Sequence, residues 1–288
     1  MNNENVTSSE SQNQALELQP QKKHLPFIPK LGFVLFFGSV ATIIFMFVRQ
    51  FIFPDITKHY YPLIAYPLNI AILYIFFYKK MKYPVEVSDF KTFFSAIGIK
   101  LDKSFWKYCI LGVILGVMSL SGMLIGSILT NRYEFNWDQL ELEQILFSLV
   151  PGIWEEVFYR GLMMLVLLKV FKAPWKAIFV QSIIFGLAHF QGFGLWELVD
   201  IISTIIIGFT VTYVAYKTNS LIPGMIFHFL HDAFIFLVQV PKTITLTNME
   251  HLIFFVCLWA FQGLICVITW LFNKYLLPAT EKTLYSHE

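Results

Sequence analysis

The chain has 288 residues, of which 57% are apolar and only 14% are charged, and its formal net charge is +2. A soluble domain carries about 45–50% apolar and about 25% charged residues, so this shortage of charge indicates a membrane protein. The small net charge and the lack of a basic stripe in the sequence argue against a nucleic-acid partner. The three cysteines lie in apolar runs, which argues against a disulfide scaffold.

The N-terminal segment, residues 1–30, is polar and rich in Asn, Gln, Ser and Glu. This composition predicts a disordered cytoplasmic tail. The apolar run that follows starts too late and extends too far for a cleavable signal peptide, so we expect it to remain as a membrane anchor.

Eight apolar runs approach the roughly 20 residues that a membrane-spanning helix needs. They predict an all-α, polytopic membrane helix bundle with about eight transmembrane helices. The runs are Leu31 to Phe53, Tyr60 to Tyr78, Phe105 to Leu129, Ile145 to Leu168, Trp175 to Phe190, Leu198 to Tyr216, Leu221 to Val240 and Leu252 to Leu277.

The runs and the charges between them predict four regions of the chain. After the tail come N-terminal transmembrane helices at 31–130, which include an amphipathic segment at 84–103 that lies along the membrane interface or forms a surface loop. A helical core follows at 141–240, and a final helix with a cytoplasmic tail follows at 251–288.

The distribution of Lys and Arg predicts the orientation of the bundle. With a cytoplasmic N-terminus, 16 of the 21 Lys and Arg residues lie on the cytoplasmic side, 4 lie outside and Arg160 lies within a span. By the positive-inside rule this bias favours the cell membrane with both termini in the cytoplasm, and it agrees with an even number of spans.

Three charged residues lie within the fourth predicted span: Glu155, Glu156 and Arg160. Each charge at the bilayer centre costs about 2.5–3.5 kcal/mol, so this segment has to face a bundle interior or a wet cavity. Glu156 and Arg160 are four residues apart and predict an ion pair on one helix face. Glu155 is rotated by about 100° and stays unpaired, which suits a general base. A buried ion pair that only fixes helix packing is the alternative.

Two further predicted spans carry ionisable side chains. His189 is in the fifth span, whereas His228 and Asp232 share one face of the seventh and His231 lies off to the side. A rise of about 1.5 Å per residue places Glu155, His189, His228 and Asp232 near the bilayer midplane, where they are able to meet. Hydrogen bonding between helices, or a structural His228–Asp232 pair, is the alternative.

Such a cluster suits the hydrolysis of a bond by activated water. Glu155 with His189 is able to take a proton from water, while His228 and Asp232 hold the substrate carbonyl and the oxyanion. A divalent metal such as zinc is the alternative, held by Glu155, His189 and His228 with a fourth position open for water. The sequence contains neither His-Glu-x-x-His nor Gly-x-Ser-x-Gly, so we favour water activated by Glu and His.

Three motifs occur in order: Glu155-Glu156-x-x-x-Arg160, Phe185-x-x-x-His189 and His228-x-x-x-Asp232. Together they resemble the CPBP family of intramembrane proteases, also called the Abi family, which includes CAAX-prenyl endopeptidases and bacteriocin-processing proteases. The resemblance covers roughly 141–240. It implies an eight-helix bundle that cleaves membrane-associated peptides or proteins, with links in bacteria to bacteriocin immunity and envelope signalling.

The resemblance also implies a role for each site residue. Glu155 resembles the water-activating Glu of the family, His189 its partner and His228 the oxyanion-stabilising His. Glu156 and Arg160 complete the first motif, and Asp232 stands where the family often has Asn.

Two non-proteolytic functions use the same buried charges. One is a membrane module that holds a partner protein without catalysis, in immunity or signalling, and the other is a proton-coupled transporter. The complete set of three motifs favours the peptidase.

Overall fold

A computed structural model describes residues 67, 70, 71, 74, 75, 88–131, 134–135, 142–171, 173–190, 192–235, 237–239 and 246–277. The predicted tail at 1–30, the first predicted span, most of the second and the predicted C-terminal tail beyond 277 lie outside the described residues.

The described part of the chain is a bundle of helices with one very short pair of strands. Its helices are α1 (Phe90–Ala96), α2 (Phe105–Thr130), α3 (Leu142–Glu155), a π-helix (Glu156–Met163), α4 (Met164–Phe171), α5 (Pro174–Ala188), α6 (Leu195–Thr218), α7 (Ile222–Ile235) and α8 (Asn248–Leu276). The antiparallel strands β1 (Glu134–Phe135) and β2 (Val238–Gln239) pair with each other.

Among the helices that the structure describes, α2, α6 and α8 are long and apolar enough to cross a membrane. Helices α5 and α7 are apolar but have only 15 and 14 residues, which corresponds to about 22 Å each at 1.5 Å per residue. That is less than the hydrocarbon core of about 30 Å. The prediction of a helical membrane bundle is confirmed, whereas the prediction of eight spans is not.

The seventh predicted span, Leu221 to Val240, shows why the apolar runs overestimate helix length. Helix α7 ends at Ile235, and the apolar chain beyond it turns into β2. Strand β2 pairs with β1, the segment just before α3, and it adds a small β element to the predicted all-α fold. Hydropathy reports that a segment is apolar and does not report where its helix ends.

The fourth predicted span, Ile145 to Leu168, is one continuous helical rod made of α3, the π-helix and α4. The π-helix begins at Glu156 and includes Arg160. Wider π turns of this kind occur often at functional sites. Helix α4 is buried along most of its length, which fits its apolar character on every side.

Small residues allow α2 to approach its neighbours closely. A Cβ added at Gly112 would lie 2.7 Å from Cβ of Ile226 on α7, and one added at Gly116 would lie 2.5 Å from Leu230. Gly126 faces α8 in the same way. Glycines at such contacts let helix backbones pack tightly within a membrane bundle, so α2 supports the helix that carries His228.

The part of the predicted interfacial segment that is described, 88–103, packs into the bundle. Phe93 of α1 and Ile97 just after it are fully buried. The carbonyl of Gly98 accepts a hydrogen bond from the backbone N–H of Leu221 at 2.9 Å. The segment therefore contacts the connection between α6 and α7, and Phe93 and Ile97 are core residues rather than part of a surface loop.

Candidate active site

Glu156 is the fully buried centre of the ionisable cluster. Its Oε1 lies 3.0 Å from Nη1 of Arg160 within the π-helix and 2.9 Å from Nδ1 of His228 on α7. Nδ1 of His228 donates a hydrogen bond to the carboxylate, and Arg160 forms an ion pair with it. Glu156 therefore joins the π-helix to α7, and this use of its carboxylate makes it a poor candidate for activating water.

Glu155 lies between the two histidines of the cluster. Its Oε2 is 3.9 Å from Nε2 of His189 and 3.8 Å from Nε2 of His228, and its side chain is 21% exposed. Both separations exceed the range of a direct hydrogen bond. Polar atoms at such distances are commonly bridged by water, so the gap suits a water molecule next to Glu155.

Each histidine is oriented through its Nδ1 atom. Nδ1 of His189 lies 2.8 Å from the carbonyl oxygen of Phe185, which only accepts, so this nitrogen carries the hydrogen. Nδ1 of His228 is held by Glu156 in the same manner. In their neutral forms both rings direct an Nε2 lone pair toward Glu155.

Asp232 completes the cluster one helical turn after His228. Its Oδ2 lies 3.6 Å from Nε2 of His228, and its side chain is 25% exposed. The same nitrogen therefore faces two carboxylates, those of Asp232 and Glu155. The structure thus brings together all six predicted site residues, as the depth argument predicted for four of them, while their chemical roles stay predictions.

Residues 138–234 match a protein-family model. The family is the Rce1-like type II CAAX prenyl endopeptidases. The resemblance to the CPBP proteases is thereby confirmed over this segment, which contains all six site residues. No curated protein and no solved structure matches the chain. The family indicates a CAAX endopeptidase, which is a peptide hydrolase that acts in a membrane.

Within the segment that matches the family model, Phe185 contacts three of the ionisable residues. Its ring centroid lies 4.2 Å from Cζ of Arg160, and it lies 4.7 Å and 6.2 Å from the ring centroids of His189 and His228. The four-residue spacing from Phe185 to His189 is visible in the sequence. The contact with Arg160 joins two different helices, and the sequence gives no sign of it.

A close approach of α3 and α7 allows the ionisable cluster to form. A Cβ added at Gly152 would lie 3.0 Å from the backbone nitrogen of Phe229 and 3.3 Å from the carbonyl oxygen of Met225. A larger residue at this position would separate the two backbones. Gly152 therefore lets Glu156, one turn further along the rod, reach His228.

The metal alternative can be compared with this geometry. Nε2 of His228 is shared between Glu155 and Asp232, and its Nδ1 is taken by Glu156. Among the residues that the structure describes, no group of three or more His, Cys, Asp or Glu side chains is placed to hold a metal ion. The mechanism below is derived from the side chains of the chain itself.

His231 points away from the ionisable cluster. Its Nδ1 lies 2.7 Å from Oγ of Ser119 on α2, and both side chains are buried. The prediction that His231 lies off to the side of the His228–Asp232 face is confirmed. The pair links α7 to α2 by a hydrogen bond of the kind that joins helices in membrane bundles.

Proposed function

We propose that this protein is an intramembrane endopeptidase that hydrolyses a peptide bond in a membrane-associated peptide or protein. The observation that supports this most is the position of Glu155 Oε2, which lies 3.9 Å and 3.8 Å from Nε2 of His189 and His228. A free carboxylate next to two oriented imidazoles provides a base, a proton carrier and an electrophilic group in one cluster.

Glu155 and His189 activate the attacking water in this proposal. The water lies between Oε2 of Glu155 and Nε2 of His189 and donates a hydrogen bond to each. Glu155 removes one proton as the water oxygen attacks the substrate carbonyl carbon. His189 keeps the water in place because the carbonyl of Phe185 fixes its ring.

His228 stabilises the oxyanion that forms on attack. In its protonated form the ring donates from Nδ1 to Glu156 and from Nε2 to the oxyanion. The tetrahedral intermediate then collapses, the C–N bond breaks, and the proton taken by Glu155 passes to the leaving amine. One water is consumed, and the products are a carboxylic acid and an amine.

We also propose a location and an orientation for the enzyme. The long apolar helices and the family fit a membrane protein. Lys residues are concentrated in every second segment between the predicted spans, and by the positive-inside rule this favours a cell membrane with both termini in the cytoplasm. Lys217 lies near the rings of Tyr213 and Tyr216, and Lys274 lies near Trp270 and Tyr275. Pairs of Lys with aromatic rings are typical of a membrane interface.

The test compares membrane-associated peptides in cells that carry the wild type, Glu155→Gln or His189→Ala. We expect cleavage products to disappear in both variants while expression and membrane insertion stay at wild-type levels. Glu197→Gln is the matched control, because Glu197 is an exposed glutamate in the first turn of α6 that makes no contact with the cluster.

The same experiment separates the alternatives. Loss of both the peptide products and the cellular phenotype supports the peptidase. A phenotype that survives in Glu155→Gln and His189→Ala rejects catalysis and points to a partner-binding module. Uptake of a labelled solute by proteoliposomes would instead indicate a transporter.

A further inference from the structure

We propose that Phe185 is a positioning residue whose aromatic face holds the Arg160 guanidinium and thereby sets the Glu156–His228 contact. The inference rests on the proposed function for its effect on turnover. The contact joins α5 to the π-helix, and Glu156 extends the connection to α7.

The contact of Arg160 with Phe185 is well shielded from solvent. Cζ of Arg160 lies 4.2 Å from the ring centroid of Phe185, and the two side chains are 0% and 2% exposed. A cation over an aromatic face is attracted by the negative face of the ring, and the attraction is strongest where water is excluded. Phe185 therefore stabilises one position of the guanidinium.

The Phe185 ring is itself confined by its neighbours. The ring of Tyr159 meets it edge-on, with centroids 5.0 Å apart and an interplanar angle of 87°. Behind it, a Cβ added at Gly208 on α6 would lie 2.9 Å from Cδ1 of Phe185. Glycine at 208 leaves room for the ring, and a larger residue would push the ring toward Arg160 and His189.

The consequence for the site follows from the shared oxygen of Glu156. Oε1 of Glu156 contacts both Arg160 and His228, so a displaced guanidinium changes the position of the carboxylate that orients His228. His189 is affected independently, because its ring centroid lies 4.7 Å from that of Phe185 and its Nδ1 bonds to the Phe185 carbonyl. One aromatic ring thus acts on both proposed catalytic histidines.

A fluorination series at Phe185 tests the role of the aromatic face. Mono-, di- and trifluorophenylalanine keep the ring nearly the same size while they weaken the negative charge on its face. We expect kcat to fall stepwise, by roughly tenfold at the trifluoro ring, with KM unchanged. The same series at Phe272 is the control, because that ring is buried in a separate hydrophobic core cluster around α8.

A spectroscopic measurement tests the positioning without turnover. The Nδ1 proton of His228, bonded to Glu156, should give a downfield resonance in protein labelled with ¹⁵N-histidine. We expect this resonance to move progressively through the series at Phe185 and to stay fixed through the series at Phe272. A resonance and a kcat that do not change at Phe185, or that change equally at both positions, would overturn the proposal.

Gly208→Ala tests the same ring from the side of α6, because the added methyl group would press against Phe185. We expect it to lower kcat when Phe185 is present and to have no further effect in Phe185→Leu, because the smaller side chain leaves room for the new methyl group. Additive losses would contradict a role exerted through the ring. Glu155→Gln tests the proposed function separately: turnover that survives in it rejects Glu155 as the base that activates water, while the His228 resonance still tests the positioning.

Discussion

Oδ2 of Asp232 lies 3.6 Å from Nε2 of His228, the nitrogen that Glu155 approaches from another helix to 3.8 Å. In the proposed mechanism this nitrogen faces the substrate oxyanion, so a second carboxylate there competes with the oxyanion for the same proton. An amide in its place has an N–H group that donates to the oxyanion directly.

We therefore expect Asp232→Asn to keep kcat/KM within about tenfold of the wild type, because one lost charge interaction is offset by a new donor. Asp232→Ala should lose roughly a hundredfold, because alanine supplies neither the charge interaction with protonated His228 nor a donor to the oxyanion. Kinetics on a purified peptide substrate measure both values. Equal losses in the two variants would show that the negative charge of Asp232 is what the reaction needs.

The buried Glu156–Arg160 pair predicts a strong effect on stability. Both side chains are fully buried, so removing one charge leaves the other without its partner. We expect Arg160→Met to lower the free energy of unfolding by about 3–5 kcal/mol. The double variant Glu156→Leu/Arg160→Met should recover part of that loss, because two apolar residues replace an ion pair that is costly to desolvate.

Unfolding in detergent by denaturant measures these differences. Glu155→Gln is the control, because its carboxylate is partly exposed and makes no direct hydrogen bond to either histidine. It should change the free energy of unfolding by less than about 0.5 kcal/mol. If the double variant is as unstable as Arg160→Met, the pair stabilises the fold through further contacts and not only by neutralising its own two charges.

Local spacing in the sequence predicts part of this site correctly. The interval of four residues from Glu156 to Arg160 gives the ion pair, and the position of Glu155 next to it gives the free carboxylate. These relationships depend only on helix geometry, and the change to a π-helix at Glu156 preserves the pair. The convergence of His189 and His228 on Glu155 follows from their depths along their helices.

Contacts between helices are what local spacing does not predict. The sequence offers Asp232 as the partner of His228, yet the 2.9 Å contact of that histidine is with Glu156, which is 72 residues away. This contact needs the close approach of α3 and α7 at Gly152, and tertiary packing decides it. The same limit applies to Phe185, whose contact with Arg160 depends on the packing of α5 against the π-helix and α6.

The proposed mechanism, in which Glu155 and His189 activate the water, predicts turnover without a tightly bound metal. We expect less than stoichiometric zinc in elemental analysis of the purified protein, and full activity in a chelator. His189→Ala and His228→Ala are the matched samples. Stoichiometric zinc in the wild type that disappears in both variants would establish the metal-assisted mechanism instead.

The difference in exposure between the two histidines predicts which of them can be replaced by a free small molecule. The side chain of His189 is 37% exposed, whereas that of His228 is 7% exposed and is held by Glu156. In His189→Ala the cavity opens toward solvent, and the carbonyl of Phe185 remains to accept a hydrogen bond from an added imidazole. We expect imidazole to restore turnover to His189→Ala in a saturable manner.

His228→Ala should show no recovery at the same imidazole concentrations, because the buried position is closed to the solute and its charge partner is the fully buried Glu156. Initial rates against imidazole concentration measure both responses, and Glu155→Gln controls for a general effect of the added base. Recovery in His228→Ala with none in His189→Ala would reverse the assignment of the two histidines. His228 would then be the group in contact with the attacking water.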